Sequence, residues 1–330
     1  MKLQVPFIQL PLAFDAERLA AEVQALGDSH WRPHPEGFAG NSMVPLVAVG
    51  GDPNNESFAG PMAPTPALRS SPYLSQVFAR LGATIGRSRL MRLSGHAEVT
   101  RHADQGYYWA ERTRVHVPIV TQPAVRFECG DAAIHMAAGE CWIFDTWRLH
   151  RVLNDAEQAR VHLVIDTVGG EGFWTLLGRA RAHAAPKGLG IWEPEYVEPQ
   201  AHVGEFPCER VNVPDVMSPW ELNAHLGALM DDVLPHPQVQ LVRQLTMRFA
   251  RNWHALWAQY GDADDGHGAF RSLLARYVSD VSGPAQPLLL TNRLRWFDAM
   301  QVMVAGAAVT ARGQVIPGAA RQGRMDGDNG

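Results

Sequence analysis

Apolar and polar residues alternate with a strand-like period of two from Ser88 to Gly169, and with a helix-like period on either side of that stretch. Six short runs carry the alternation: SRLMRL, AEVTRHAD, TRVHVPIV, VRFECG, ECWIFD and ARVHLVIDTVGG. Turn residues part them, which predicts a sandwich or barrel of short strands. Ahead of this block, residues 3–10 read as a strand and DAERLAAEVQALG as a helix. Asp15 is placed to accept at its N-terminus, Leu19, Val23 and Leu26 share one face, and Gly27 closes it. Residues 28–70 are rich in Gly, Pro, Asn and Ser around one strand-like run, MVPLVAVGG. SSPYLSQVFARLG predicts a second helix, with Ser71 before Pro72 at its first turn.

Beyond Gly170 the pattern changes again. APKGLGIWEPEYVEPQ reads as a linker or wrapping arm. SPWELNAHLGALMDDVL opens a helical region with a capping box, Ser218 accepting and Glu221 reaching back. Val242, Leu245, Phe249 and Trp253 make a second helical stripe, and Phe270, Leu273, Leu274, Tyr277 and Val278 a third. The small, polar ending GQVIPGAARQGRMDGDNG reads as a frayed tail. The expected organisation is an N-terminal α/β flank over 1–84, a β core over 85–170, a linker over 171–205, a helical domain over 206–312 and a tail over 313–330. The fold class is α+β with a mainly-β core and a C-terminal α-helical domain.

Composition narrows the function classes. A hydrophobic content of 46% and a charged content of 19% fit a globular chain. The net charge of −5 provides no basic field for nucleic acid or acidic lipid. No run reaches the ~20 apolar residues of a membrane span, and Pro6 and Pro11 interrupt the opening residues where a signal peptide would lie. Cys129, Cys141 and Cys208 are widely spaced and form no zinc pattern, which suits a reducing, cytoplasmic setting. Of the 29 basic residues only Lys2 and Lys187 are lysine, a bias that hints at a bacterial source. The pattern leaves the oligomeric state open.

The candidate chemistry lies in the strand block. His102 and Asp104 are two apart, so on a strand they point to one face and can share a metal. Six of the fourteen histidines fall between His96 and His162, and His150, after a strand and an aspartate-containing turn, is the best third ligand. Two imidazoles and one carboxylate leave three positions of an octahedron open, the arrangement of non-haem iron(II) oxygenases. Zinc takes the same donors. Arg160, ten residues past His150, lies on the strand face of His162 and Val164, and an inward arginine beside a metal needs an anion. A carboxylate of 2-oxoglutarate fits its fork. TRVHVPIV repeats the form, with Arg114 and His116 on one face and Val115, Val117 and Ile119 on the other.

The assembled run RHAD…RVHVPIVT…GECWIFDTWRLHRVLNDAEQARVHLVID resembles the aspartyl/asparaginyl β-hydroxylase family of iron(II)/2-oxoglutarate oxygenases, in its bacterial, full-triad branch. The resemblance covers about residues 85–170. It implies a double-stranded β-helix, a cupin-like jelly roll, with His102, Asp104 and His150 holding Fe(II). It implies 2-oxoglutarate and O2 as co-substrates, with Arg160, Arg114 and His116 near the former. It implies hydroxylation of an amino-acid side chain, Asp/Asn-type in a peptide or protein, or a free amino acid.

Several further residues carry open alternatives. Arg92, Tyr108 and Trp147 are candidate substrate contacts, Arg92 by catching a substrate carboxylate, and the two aromatics have core or lid packing as their alternative. Asp145 either orients His150 or caps its turn. His162 is either a neighbour of the metal ligands or structural. The competing functions are a zinc or manganese cupin doing other chemistry, which needs no acid-binding arginine, and a catalytically silent binding module, which needs no triad.

Overall fold

A computed structural model describes residues 2–35, 37–185, 192–200 and 204–310. The predicted tail over 313–330 lies outside the described residues, as does part of the expected linker.

The strand block folds as its period demands. The strands are β1 (Phe7–Phe14), β2 (Asn41–Val49), β3 (Thr84–Leu93), β4 (Glu98–His102) and β5 (Thr113–Val120), then β6 (Val125–Cys129), β7 (Ala132–Ile134), β8 (Glu140–Phe144), β9 (His150–Asn154) and β10 (Arg160–Gly169). Eight of them, β3 to β10, make two facing four-stranded layers. One layer has the order β8-β5-β10-β3, the other β4-β9-β6-β7, and all neighbours are antiparallel. Successive strands mostly switch layers, so the chain winds as a jelly roll, the double-stranded β-helix. The first layer continues through β1 beyond β8 and through β2 beyond β3, to ten strands in all. Two short strands that pair with β1, Arg181–Ala182 and Glu195–Val197, come from the stretch expected to be a linker.

Side chains from both layers fill the space between them. Phe7, Leu93, Trp142 and Phe144 meet Val125, Phe127, Cys129 and Val152 in one buried cluster. β10 is buried on both faces, because Val161, Leu163 and Ile165 are covered as fully as His162 and Val164. Helix α1 (Ala16–Leu26) packs on β5 and also against α2 (Pro72–Arg80). Asp15 caps α1 through the Arg18 amide, as its sequence predicts. Ser71 does not cap α2; its hydroxyl donates to the Ala67 carbonyl instead. The cap is Glu22 of α1, whose carboxylate accepts from the amides of Tyr73 and Leu74, both at 2.9 Å.

Contacts divide the described chain into two units, residues 2–103 with 111–210 and residues 104–110 with 211–310. The second unit is helical: α3 (Pro219–Asp231), α4 (Val239–Tyr260), α5 (His267–Ala285) and α6 (Trp296–Met300). Its core is aromatic. Phe249 stacks on Tyr277 at 4.0 Å, and Trp253 packs on Phe270 at 4.6 Å. Ser218 caps α3 through the Glu221 amide. The Glu221 carboxylate takes the Tyr107 hydroxyl. Among the described residues, no helix is long and apolar enough to cross a membrane.

Candidate active site

The pairing of β4 with β9 creates the centre of the site. Its register sets His102, the last residue of β4, directly across from His150, the first of β9. Cross-strand partners share a face, and the two imidazole rings lie 4.3 Å apart. Nδ1 of His102 is 2.8 Å from the Thr100 carbonyl oxygen, and Nδ1 of His150 is 2.9 Å from that of Arg148. A carbonyl only accepts, so each ring carries its proton on Nδ1 and offers the Nε2 lone pair. Asp104 follows His102 by two residues. One donor atom from each of His102, Asp104 and His150 lies within 4.8 Å of the other two. Two neutral imidazoles and a carboxylate fit a divalent transition-metal ion and leave open positions on it.

Asp145 shapes the turn that delivers His150. Its carboxylate accepts from the Trp147 amide at 3.0 Å and from Arg148 Nε at 2.9 Å. It therefore caps the turn and fixes the residue whose carbonyl orients His150. His150 itself is buried against Phe144 and Phe127, at ring separations of 4.8 and 6.3 Å.

The same two phenylalanines touch His116 on the facing layer, at 5.4 and 5.3 Å. His116 pairs with Val164 in the β5–β10 register, so it shares an inner face with Arg160 and His162. All three are buried. His116 and His162 approach through their Nδ1 atoms at 3.4 Å, and Nε2 of each is buried without a hydrogen-bond partner. Burial pushes both rings well below the ordinary histidine range, and Arg160 pushes them in the same direction. They are neutral at physiological pH.

Arg160 is the electrostatic anomaly. It is 4% exposed, its Nε has no hydrogen-bond partner, and among the described residues it forms no ion pair. Burial alone pushes its guanidinium down to about 9, so it is still a cation at pH 7. The chain provides acids for two other arginines, one buried and one half-buried. Arg112 is held by both oxygens of Glu209 at 2.9 Å, and Arg114 by Asp166 at 2.9 Å. Arg114 shares the inner face with His116, with its Nε committed to Asp166.

Arg92 lies elsewhere. It pairs with Val161 in the β3–β10 register, which places it on the face opposite Arg160. There it bonds Asp28 and Ser42 and stacks 4.3 Å over Trp31, so it does not enter the space between the layers. Trp147 is half-buried on the turn before β9. Tyr108 is buried in the helical turn Tyr107–Ala110, edge-on to Trp109. Sequence reasoning passed over Arg89, His34 and Phe38. Arg89 pairs with Val164 and so lies on the inner face. Its Nη1 is 3.4 Å from His34 Nε2. Burial, then Arg89, Arg87, Arg114 and His102, push His34 down to about 3.

Residues 58–169 match the family model described as aspartyl/asparaginyl beta-hydroxylase. This stretch of the chain is similar to that family. The matched segment contains all eight strands of the β-helix, the His102–Asp104–His150 group, and Arg160, His116 and His162. His34, Phe38 and the helices after residue 211 lie outside it. L-proline cis-3-hydroxylase 1 of Streptomyces sp is 25% identical over 174 residues, which are 47% of this chain and 57% of that relative. The chain thus spans a little over half the length of this curated relative. Among solved structures, a Pseudomonas putida prolyl-4-hydroxylase matches with 18% identity and a TM-score of 0.34, over 50% of this chain and 92% of that one. A Burkholderia pseudomallei oxidoreductase of the 2OG-Fe(II) oxygenase family matches with 14% identity and a TM-score of 0.34, over 47% and 82%. The β-helix assignment rests on the strand order itself.

Proposed function

We propose that this chain is an iron(II)- and 2-oxoglutarate-dependent dioxygenase that hydroxylates an amino acid, free or within a peptide. One observation carries the reading. Arg160 is a buried cation without an acid partner among the described residues, on the layer facing the His102–His150 pair. Such a cation costs several kcal/mol unless an anion joins it. A zinc or manganese cupin doing other chemistry needs the three ligands but not this arginine.

In this reading Nε2 of His102, Nε2 of His150 and the Asp104 carboxylate hold the iron. When bound, iron(II) with oxygen and 2-oxoglutarate supplies the oxidising power for hydroxylation, the keto acid leaving as succinate and carbon dioxide. Arg160 pairs with the far carboxylate of 2-oxoglutarate. His116 and His162, held neutral, keep unpartnered Nε2 atoms and share the inner face of Arg160, where either could form a hydrogen bond with the bound acid. Phe127 and Phe144 keep bulk solvent from the ligands and stiffen both histidines. Asp145 positions His150 through the Arg148 carbonyl.

The test is succinate release over a panel of candidates. L-Proline heads the panel, because the relative's name specifies it. L-Aspartate, L-asparagine and peptides containing them follow, from the description of the matching family. Succinate should form only with Fe(II), oxygen, 2-oxoglutarate and a matching amino acid, and should drop at least 100-fold in His150→Ala. No succinate with any panel member would overturn the amino-acid reading.

A further inference from the structure

Two of the three metal ligands sit on paired strands, whereas Asp104 lies past the end of β4. It opens an excursion, Asp104–Ala110, that packs with the helices of the second unit, while residues 103 and 111 on either side belong to the first. Gly106, with φ of +113°, turns the chain there, a conformation other residues resist. The excursion holds a single helical turn, Tyr107–Ala110, which is too short to stand alone. Its anchor is Tyr107. The Tyr107 hydroxyl donates to Oε1 of Glu221, in the first turn of α3. His225, buried one turn further along α3, meets the Tyr107 ring edge-on at 5.6 Å. Its Nε2 lies 3.9 Å from the same Glu221 oxygen. The Glu221 backbone is itself fixed, because its amide donates to the Ser218 hydroxyl at 3.2 Å. A π-helix, Gln301–Ala305, packs against both the Tyr107–Ala110 turn and α3. Such helices are rare and are frequent at functional sites. Glu221, His225 and the π-helix all lie outside the matched segment.

We propose that Tyr107, Glu221 and His225 are positioning residues for the metal's carboxylate ligand, holding the excursion so that Asp104 stands ready for the ion. The proposal rests on the iron reading above. A metal binds more weakly when it must first order the segment that carries a ligand, because fixing each backbone residue costs entropy. Holding that segment beforehand removes the cost. His102 and His150 obtain this from the β4–β9 pairing and from the carbonyls that accept at their Nδ1 atoms. The helical unit does the same for Asp104. A hydroxyl donating to a carboxylate suits the task, since a charge-assisted bond is stronger than a neutral one.

Anaerobic Fe(II) titration of the full chain tests this. The wild type should bind Fe(II), and Asp104→Ala should lose most of that affinity. Tyr107→Phe, which removes one hydroxyl, should weaken Fe(II) about tenfold, the usual cost of losing a group that orients a metal ligand. Glu221→Ala should match that loss. Glu221→Gln, which can still accept from the Tyr107 hydroxyl, should recover most of it. Tyr277→Phe is the control. It removes a comparable hydroxyl, 2.9 Å from that of Thr246 in the core of the same unit, and should leave Fe(II) affinity unchanged. Wild-type affinity in Tyr107→Phe, or an equal loss in Tyr277→Phe, would overturn the proposal. Should Tyr107→Phe fail to fold, the two Glu221 variants decide, and equal Fe(II) affinity in both would overturn it. If the wild type takes no Fe(II), or Asp104→Ala binds as tightly as the wild type, the metal reading falls and this proposal with it. If Asp104→Ala loses Fe(II) and Tyr107→Phe does not, only the positioning role falls.

Discussion

Arg112 shows what this chain does with a buried guanidinium, since both of its contacts to the Glu209 carboxylate are 2.9 Å. Arg160 lacks one, so its replacement should separate binding from stability. Arg160→Met is expected to leave the apo protein at least as stable, because an uncompensated charge goes. It should also weaken 2-oxoglutarate about 100-fold, the loss of a charge-assisted pair. Thermal melts with and without 2-oxoglutarate read both effects: the wild type should gain melting temperature from the acid and the variant should not. The triad and Arg160 were legible because their signals are local, a two-residue spacing and a ten-residue interval. The face of Arg92 was not. Arg89 and Arg92 are three apart on one strand, so under a period of two only one of them can face inward. Pairing register decides which, and it places Arg89 there.

Among the elements, the strand block was readable because alternation is a short-range signal. The caps were only half so. Asp15 and Ser218 accept at their helix starts as expected, since a cap three residues away is visible in sequence. The cap of α2 comes from Glu22, 51 residues before Tyr73, which no local pattern encodes. Glu22→Ala should therefore cost about 1–3 kcal/mol by leaving two amides without their partner, measured by urea unfolding, with Fe(II) affinity unchanged. Unaltered stability would mean that water or another group satisfies the α2 amides. The stretch expected to be a linker contains a helix, Glu171–Gly178, and two short strands that pair with β1. Only three and two residues long, those strands are too brief for alternation to show.

At the scale of the whole molecule, buried neutral histidines set the response to acid. His34 is pushed down to about 3, and His116 and His162 lie well below their ordinary range. Below pH ~6.5 the unfolded chain binds protons at these rings and the folded chain does not, so stability must fall as pH drops. Each ring contributes up to about 1.4 kcal/mol per pH unit in that range. The urea midpoint should therefore decline from pH 7 to pH 5, and His162→Gln should make the decline shallower. A midpoint that rises on acidification would show these rings to be charged in the fold.

The central claim is that His102, Asp104 and His150 hold one iron(II) beside a site for 2-oxoglutarate. Anaerobic addition of Fe(II) and 2-oxoglutarate tests it most directly, by the weak visible charge-transfer band of a chelated keto acid. The wild type should show the band and His150→Ala should not. An undiminished band in His150→Ala, or its absence from a wild type that has bound Fe(II), would contradict the account.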